Sequence, residues 1–182
     1  MTAANVVTYM RIALVPVLVV VFRLDWQYAG TAALAVFVIA SATDGLDGFL
    51  ARRYGQVTTL GKLIDPLADK LLITAAILLL VENGTMDIWP ALIVITREFA
   101  VTTLRAVAAS EGVVIGADGA GKVKMVVQIV CVSALLLGQK DMAPVPPEVR
   151  LIVAWFMALV TLGSGIVYIY NSRKLFTGGK KV

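Results

Sequence analysis

The chain has 182 residues, 59% of them hydrophobic and only 15% charged, with a mean hydropathy of +0.89; soluble domains run about 45–50% apolar and about 25% charged. It has no histidine and one cysteine, Cys131, which excludes an internal disulfide framework, Cys/His zinc sites, a Ser-His-Asp triad and a Cys-His pair. What remains is carboxylate chemistry, with any metal held by oxygen and therefore a hard ion such as Mg²⁺ or Mn²⁺. The net charge of +4 is scattered between hydrophobic runs rather than gathered in a block, which fits membrane topology and not nucleic-acid binding.

Six apolar stretches approach the ~20 residues that a helix needs to cross the hydrocarbon layer. They lie at 5–24, 30–53, 61–81, 88–110, 121–138 and 149–171. The first carries Asn5, Thr8 and Arg11 and lacks a small-residue cleavage site, so it is expected to be a span rather than a secretory leader. Turn-rich breaks follow at 25–30, at Glu82-Asn83-Gly84, and at 138–147 with Pro144, Pro146 and Pro147. An even number of spans puts both termini on one side. Arg23, Lys140 and Arg150 fall on the opposite side and the other thirteen of the 16 Lys and Arg on the terminal side, so the positive-inside rule makes that side cytoplasmic. The expectation is an all-α, polytopic membrane protein with six transmembrane helices, both termini cytoplasmic and a single domain over 1–182. The tail from Thr177 to Val182 reads as a solvated end.

Four of the 12 acids fall between residues 44 and 69: Asp44, Asp47, Asp65 and Asp69. An ionised side chain at membrane depth costs about 2.5–3.5 kcal/mol even on the lenient insertion scale, and four together repel one another. Asp44 and Asp47 are i,i+3 and Asp65 and Asp69 are i,i+4, so each pair shares a helical face. Two such faces on adjacent antiparallel helices make an oxygen cage for one or two divalent cations. Asp44, Gly48 and Arg52 run i, i+4, i+8, placing a glycine and a phosphate-gripping arginine beside the acids. Pro66 biases Asp65 away from helix, so the third helix is expected to be irregular or just starting there. A pair of acids at a helix end is ordinarily a solvated cap. Four acids with glycines and an arginine in register on two neighbouring spans are not.

The same stretch reads D-x2-D-G-x2-A-R-x8-G-x3-D-x3-D, filled by Asp44, Asp47, Gly48, Ala51, Arg52, Gly61, Asp65 and Asp69. It resembles the signature of the CDP-alcohol phosphotransferase family, whose members attack a CDP-linked lipid or alcohol with a hydroxyl and expel CMP. The resemblance implies two divalent ions, Mg²⁺ or Mn²⁺, held by Asp44, Asp47, Asp65 and Asp69, with Asp69 as catalytic base. It implies a CDP-diacylglycerol site from Gly48, Arg52 and Thr58, completed by Asn5, Thr8 and Arg11. It also implies a homodimer in a bacterial plasma membrane, with the active site facing the cytoplasm.

The acceptor is read from the later spans. Arg97-Glu98-Phe99, Leu104-Arg105, Gly121-Lys122-Val123-Lys124 and Gln128, with Asn5-x2-Thr8-x2-Arg11-x4-Pro16, resemble the bacterial members that use glycerol 3-phosphate; Met125 stands where that group commonly has Thr. Arg97 and Arg105 are eight apart on one face, and Lys122 and Lys124 open the next helix, where the dipole favours anions. These four residues are the candidate phosphate-binding set, and the alternative for Arg105, Lys122 and Lys124 is interfacial anchoring. The competing acceptors are an inositol phosphate, serine or phosphatidylglycerol. The competing class is a cation transporter, against which stands the confinement of the acids to one membrane face.

Overall fold

The structure, a computed structural model, describes residues 3–54, 59–110, 119–137 and 145–177, with side chains at these positions except 3–7, 44–54, 59–66, 69, 120 and 173–177. The described residues form six α-helices and no strand. In chain order they are α1 (Ala3–Arg23), α2 (Ala29–Tyr54), α3 (Thr59–Glu82), α4 (Ile88–Ser110), α5 (Gly119–Leu137) and α6 (Pro147–Thr177). Each covers one apolar stretch of the sequence. The clearest departure is at the end of α6, where the polar Asn171 and Ser172 terminate the hydropathy but not the helix.

Proline does not break these helices. Pro16 lies inside α1, and α3 begins at Thr59, well before Pro66, so the irregular start expected at Asp65 is not found. A proline deletes one backbone hydrogen bond, a defect that neighbouring helices and local adjustment make tolerable in apolar bundles. The α3–α4 connection is built by glycine. Gly84 has φ +68°, its N–H donates to the Val81 carbonyl at 3.0 Å, and the Thr85 N–H reaches back to Leu80 at 2.9 Å. This is a Schellman cap. Asp87 then caps α4 by accepting from the Trp89 N–H at 2.9 Å.

Helix α1 packs on α2 and α3, α2 on α3 and α5, α3 on α4 and α5, and α6 on α4 and α5. Leu18, Phe37, Ile77, Leu80, Leu135 and Met157 fill the interior. The polarity is inverted relative to a soluble domain. Arg11, Glu98, Lys124 and Gln128 are buried while Ile39, Leu78, Val126, Ile152, Leu159 and Ile166 are exposed; continuous apolar surface of this kind marks contact with lipid or protein. Among the described residues, one helix, Pro147–Ser172, is long and apolar enough by itself to cross a membrane, and Ala29–Thr43 is a shorter apolar helix. Arg23 and Glu82 pair at 2.8 Å, both exposed, and so join the ends of α1 and α3.

Replacing Gly84 by Ala forces a side chain into the left-handed region and is expected to cost about 1–2 kcal/mol. Glu82→Ala removes only an exposed pair and should cost less than about 1 kcal/mol. Thermal unfolding of the detergent-purified variants checks this order.

Candidate functional site

Asp44 and Asp47 lie in the later part of α2, and Asp65 and Asp69 in the first half of α3. The two helices are packed neighbours, and each runs unbroken through its pair, so the i,i+3 and i,i+4 spacings hold on the backbone. The side chains of all four acids lie outside the described residues, as do those of Asn5, Gly48 and Arg52, and Thr58 falls outside entirely. Among the described residues no group of three or more Asp, Glu or Cys comes together. Of the expected CDP-diacylglycerol set, Thr8 and Arg11 are described. They are one turn apart on α1 and are 2% and 1% exposed.

One residue after Asp69, Lys70 leaves α3 and meets a carboxylate from α4. Glu98 is 1% exposed. Its Oε2 lies 2.6 Å from the Lys70 ammonium, and its Oε1 accepts from Lys124 at 2.7 Å, Gln128 at 3.1 Å and Arg97 at 3.2 Å. Gln128 also bonds the Thr161 hydroxyl at 3.2 Å, which extends the network to α6. Removing one partner from such a group leaves a buried charge uncompensated. The sequence groups Lys124 with Arg97, Arg105 and Lys122; the structure buries its ammonium on Glu98, while Lys122 is exposed.

Arg97 and Arg105 are two turns apart on α4, against α6. The Arg105 guanidinium sits 5.0 Å over the Tyr168 ring, a cation–π contact. Gly121, opening α5, lies beside it: a Cβ there would be 3.9 Å from an Arg105 terminal nitrogen. Four buried polar atoms at this end find no hydrogen-bond partner among the described residues: Arg97 Nε, Arg105 Nε, Tyr168 Oη and Ser172 Oγ. Buried polar groups are nearly always satisfied, so these side chains on α4 and α6 keep hydrogen-bonding capacity that the described residues do not use. Tyr168 and Ser172 were not among the candidates. Their signal was present as polar residues at i,i+4 in an otherwise apolar span.

Fold and site together define an all-helical bundle, apolar outside, in which α2 and α3 carry the paired acids on packed backbones and a buried Glu98 on α4 gathers cations from α3, α4 and α5. The family model for CDP-alcohol phosphatidyltransferases matches residues 1–164, and the chain belongs to that family. It is similar to the CDP-diacylglycerol–glycerol-3-phosphate 3-phosphatidyltransferase of Bacillus subtilis, at 39% identity over 90% of this chain and 91% of that protein. The Rickettsia felis protein of the same name is 36% identical over 94% of this chain and 96% of its own length, and that of Rickettsia prowazekii is 34% identical over 94% and 96%.

Glu98→Ala leaves Lys70 and Lys124 facing a void and should destabilise the bundle by about 3–5 kcal/mol. Glu98→Gln, which keeps the shape, should cost less. Thermal midpoints in one detergent compare them.

Proposed function

We propose that the chain transfers the phosphatidyl group of CDP-diacylglycerol to glycerol 3-phosphate, giving phosphatidylglycerophosphate and CMP. The relatives' names support the donor and acceptor. The observation that carries the reading is the pair Arg97 and Arg105, whose buried Nε atoms have no partner among the described residues, on a helix that packs against the one bearing Asp65 and Asp69. A fork of guanidinium donors suits a phosphate dianion, and glycerol 3-phosphate offers one together with a primary hydroxyl.

In the proposed reaction Arg97 and Arg105 hold the acceptor phosphate, with the exposed Lys122 from the start of α5 and with Lys124 acting through Glu98. Asp69 accepts the proton of the acceptor hydroxyl. The freed oxygen forms a bond to the lipid-side (β) phosphorus of CDP-diacylglycerol. The bond from that phosphorus to the bridging oxygen breaks, and CMP departs with the electron pair. Gly48, Arg52 and Thr58, with Asn5, Thr8 and Arg11 from α1, hold the CDP group. The all-carboxylate donor set of Asp44, Asp47, Asp65 and Asp69, spaced one turn apart on two packed helices, fits two hard divalent ions, Mg²⁺ or Mn²⁺. Such ions, when bound, neutralise the diphosphate and stabilise the leaving group.

The setting belongs to the same proposal: six spans in a bacterial plasma membrane, both termini and the acids on the cytoplasmic side, in a homodimer. The inverted polarity of the bundle supports the embedding. One substrate is a lipid and the other is water-soluble, so a site where helices end at the interface serves both.

CMP release from CDP-diacylglycerol and glycerol 3-phosphate tests the reading. Asp69→Asn should lower kcat by about 10²–10⁴, the usual contribution of a positioned base; near-normal turnover would overturn that assignment. Chelation of divalent ions should abolish CMP release, and restoring Mg²⁺ or Mn²⁺ should recover it. Arg105→Ala should raise KM for glycerol 3-phosphate about tenfold or more, as expected for one charged hydrogen bond, with KM for CDP-diacylglycerol unchanged.

A further inference from the structure

Helix α6 brings four residues to one face at i, i+4, i+7 and i+11: Thr161, Gly165, Tyr168 and Ser172. All four are buried. Thr161 bonds Gln128, Tyr168 lies under Arg105, and Gly165 lies against the stem of Arg97. A Cβ placed on Gly165 would stand 2.9 Å from Arg97 Cγ, 3.2 Å from Nε and 3.7 Å from Cδ. The closest approach is thus to the root of the side chain and not to its flexible tip. A Cβ at 165 cannot coexist with Arg97 where it stands, and a shift of the side chain at Cγ is carried to the guanidinium at its far end. Gly163, two residues earlier, is exposed, and a Cβ there meets nothing within 4 Å.

We propose that Gly165 is a positioning residue for the acceptor site: its missing side chain seats Arg97 on α6, and that seat sets the preference for a phosphate-bearing acceptor. The inference rests on the reading that Arg97 meets the acceptor phosphate. With its stem on the α6 backbone and Nη1 held by Glu98 at 3.2 Å, Arg97 enters binding with little side-chain freedom left to lose. Its Nε, buried and without a partner among the described residues, is the donor kept for the ligand. A guanidinium fixed in this way matches a phosphate and offers nothing comparable to a neutral hydroxyl acceptor.

The test compares purified wild type, Gly165→Ala, Gly163→Ala and Arg97→Ala, and the double variant Gly165→Ala/Arg97→Ala, with CMP release as readout. Gly165→Ala should raise KM for glycerol 3-phosphate about tenfold, the scale of one misplaced charged hydrogen bond, with kcat and KM for CDP-diacylglycerol within about twofold. Gly163→Ala, which makes the same chemical change on the same helix, should match wild type. In the Arg97→Ala background, where the clash has no target, Gly165→Ala should add nothing, the non-additivity expected of a pair acting as one unit. An active wild type whose KM is unmoved by Gly165→Ala overturns the inference, as does an equal shift in the Arg97→Ala background. Should Gly165→Ala fail to give a monodisperse protein, recovery of folding in the double variant supports the seat, and its absence overturns it. A wild type that releases no CMP with glycerol 3-phosphate overturns the proposed function and this inference together.

Discussion

A carboxylate that is 1% exposed inside an apolar helix bundle persists only where cations are brought to it, and the ion cluster at Glu98 is what the rest of the molecule is arranged around. Lys70 comes from α3, Lys124 and Gln128 from α5, and Arg97 from α4, the helix of Glu98 itself. The desolvation of each charge amounts to several kcal/mol and is offset only by close, well-directed partners. These contacts therefore fix how α3, α4 and α5 turn about their own axes. For α3 the rotation matters most. Asp65 and Asp69 ride on the turns just before Lys70, and whatever holds Lys70 against Glu98 also sets the azimuth of the backbone carrying both acids.

The same cluster separates structural from ligand-facing cations. Lys124 spends its charge on Glu98, and Arg97 spends one nitrogen there while its Nε stays uncommitted. Arg105 is held by an aromatic ring, which orients a guanidinium without neutralising it. Positive charge thus accumulates from the middle of α4 towards its C-terminal end without being cancelled by the groups that support it. Glu98 holds the framework, and each arginine keeps an Nε donor that the described residues do not use.

Much of this was legible in the sequence, for a physical reason. Helices in an apolar bundle advertise themselves by hydropathy and by turn residues, so the six stretches and the Asn83-Gly84 break translate directly into α1–α6 and the Schellman cap. The acid spacing and the eight-residue step from Arg97 to Arg105 are local and survive folding unchanged. What spacing does not carry is partnership over long separations. Glu98 meets Lys124 and Gln128 across 26 and 30 residues, and nothing in 121–128 tells an anchoring lysine from a ligand-binding one until the helices pack. Pro66 misled in the opposite direction, because a local bias away from helix is outweighed by the burial of the helix around it. Gly165 is, in sequence, one small residue in an apolar span; which side chain fills its space is a property of the α4–α6 interface.

Among the described residues, α6 alone is long and apolar enough to cross a membrane unaided, and the chemistry of its inner face explains how it remains so. Thr161, Gly165, Tyr168 and Ser172 offer a hydroxyl, an open backbone surface, an aromatic face and another hydroxyl, with no formal charge among them. A carboxylate at any of these positions would hold an arginine more tightly and would also cancel its charge. It would in addition bury another ion inside an apolar bundle, at a cost of several kcal/mol. A neutral template avoids both penalties: it shapes Arg97 and Arg105 by contact and ring electrostatics and leaves their charge uncancelled.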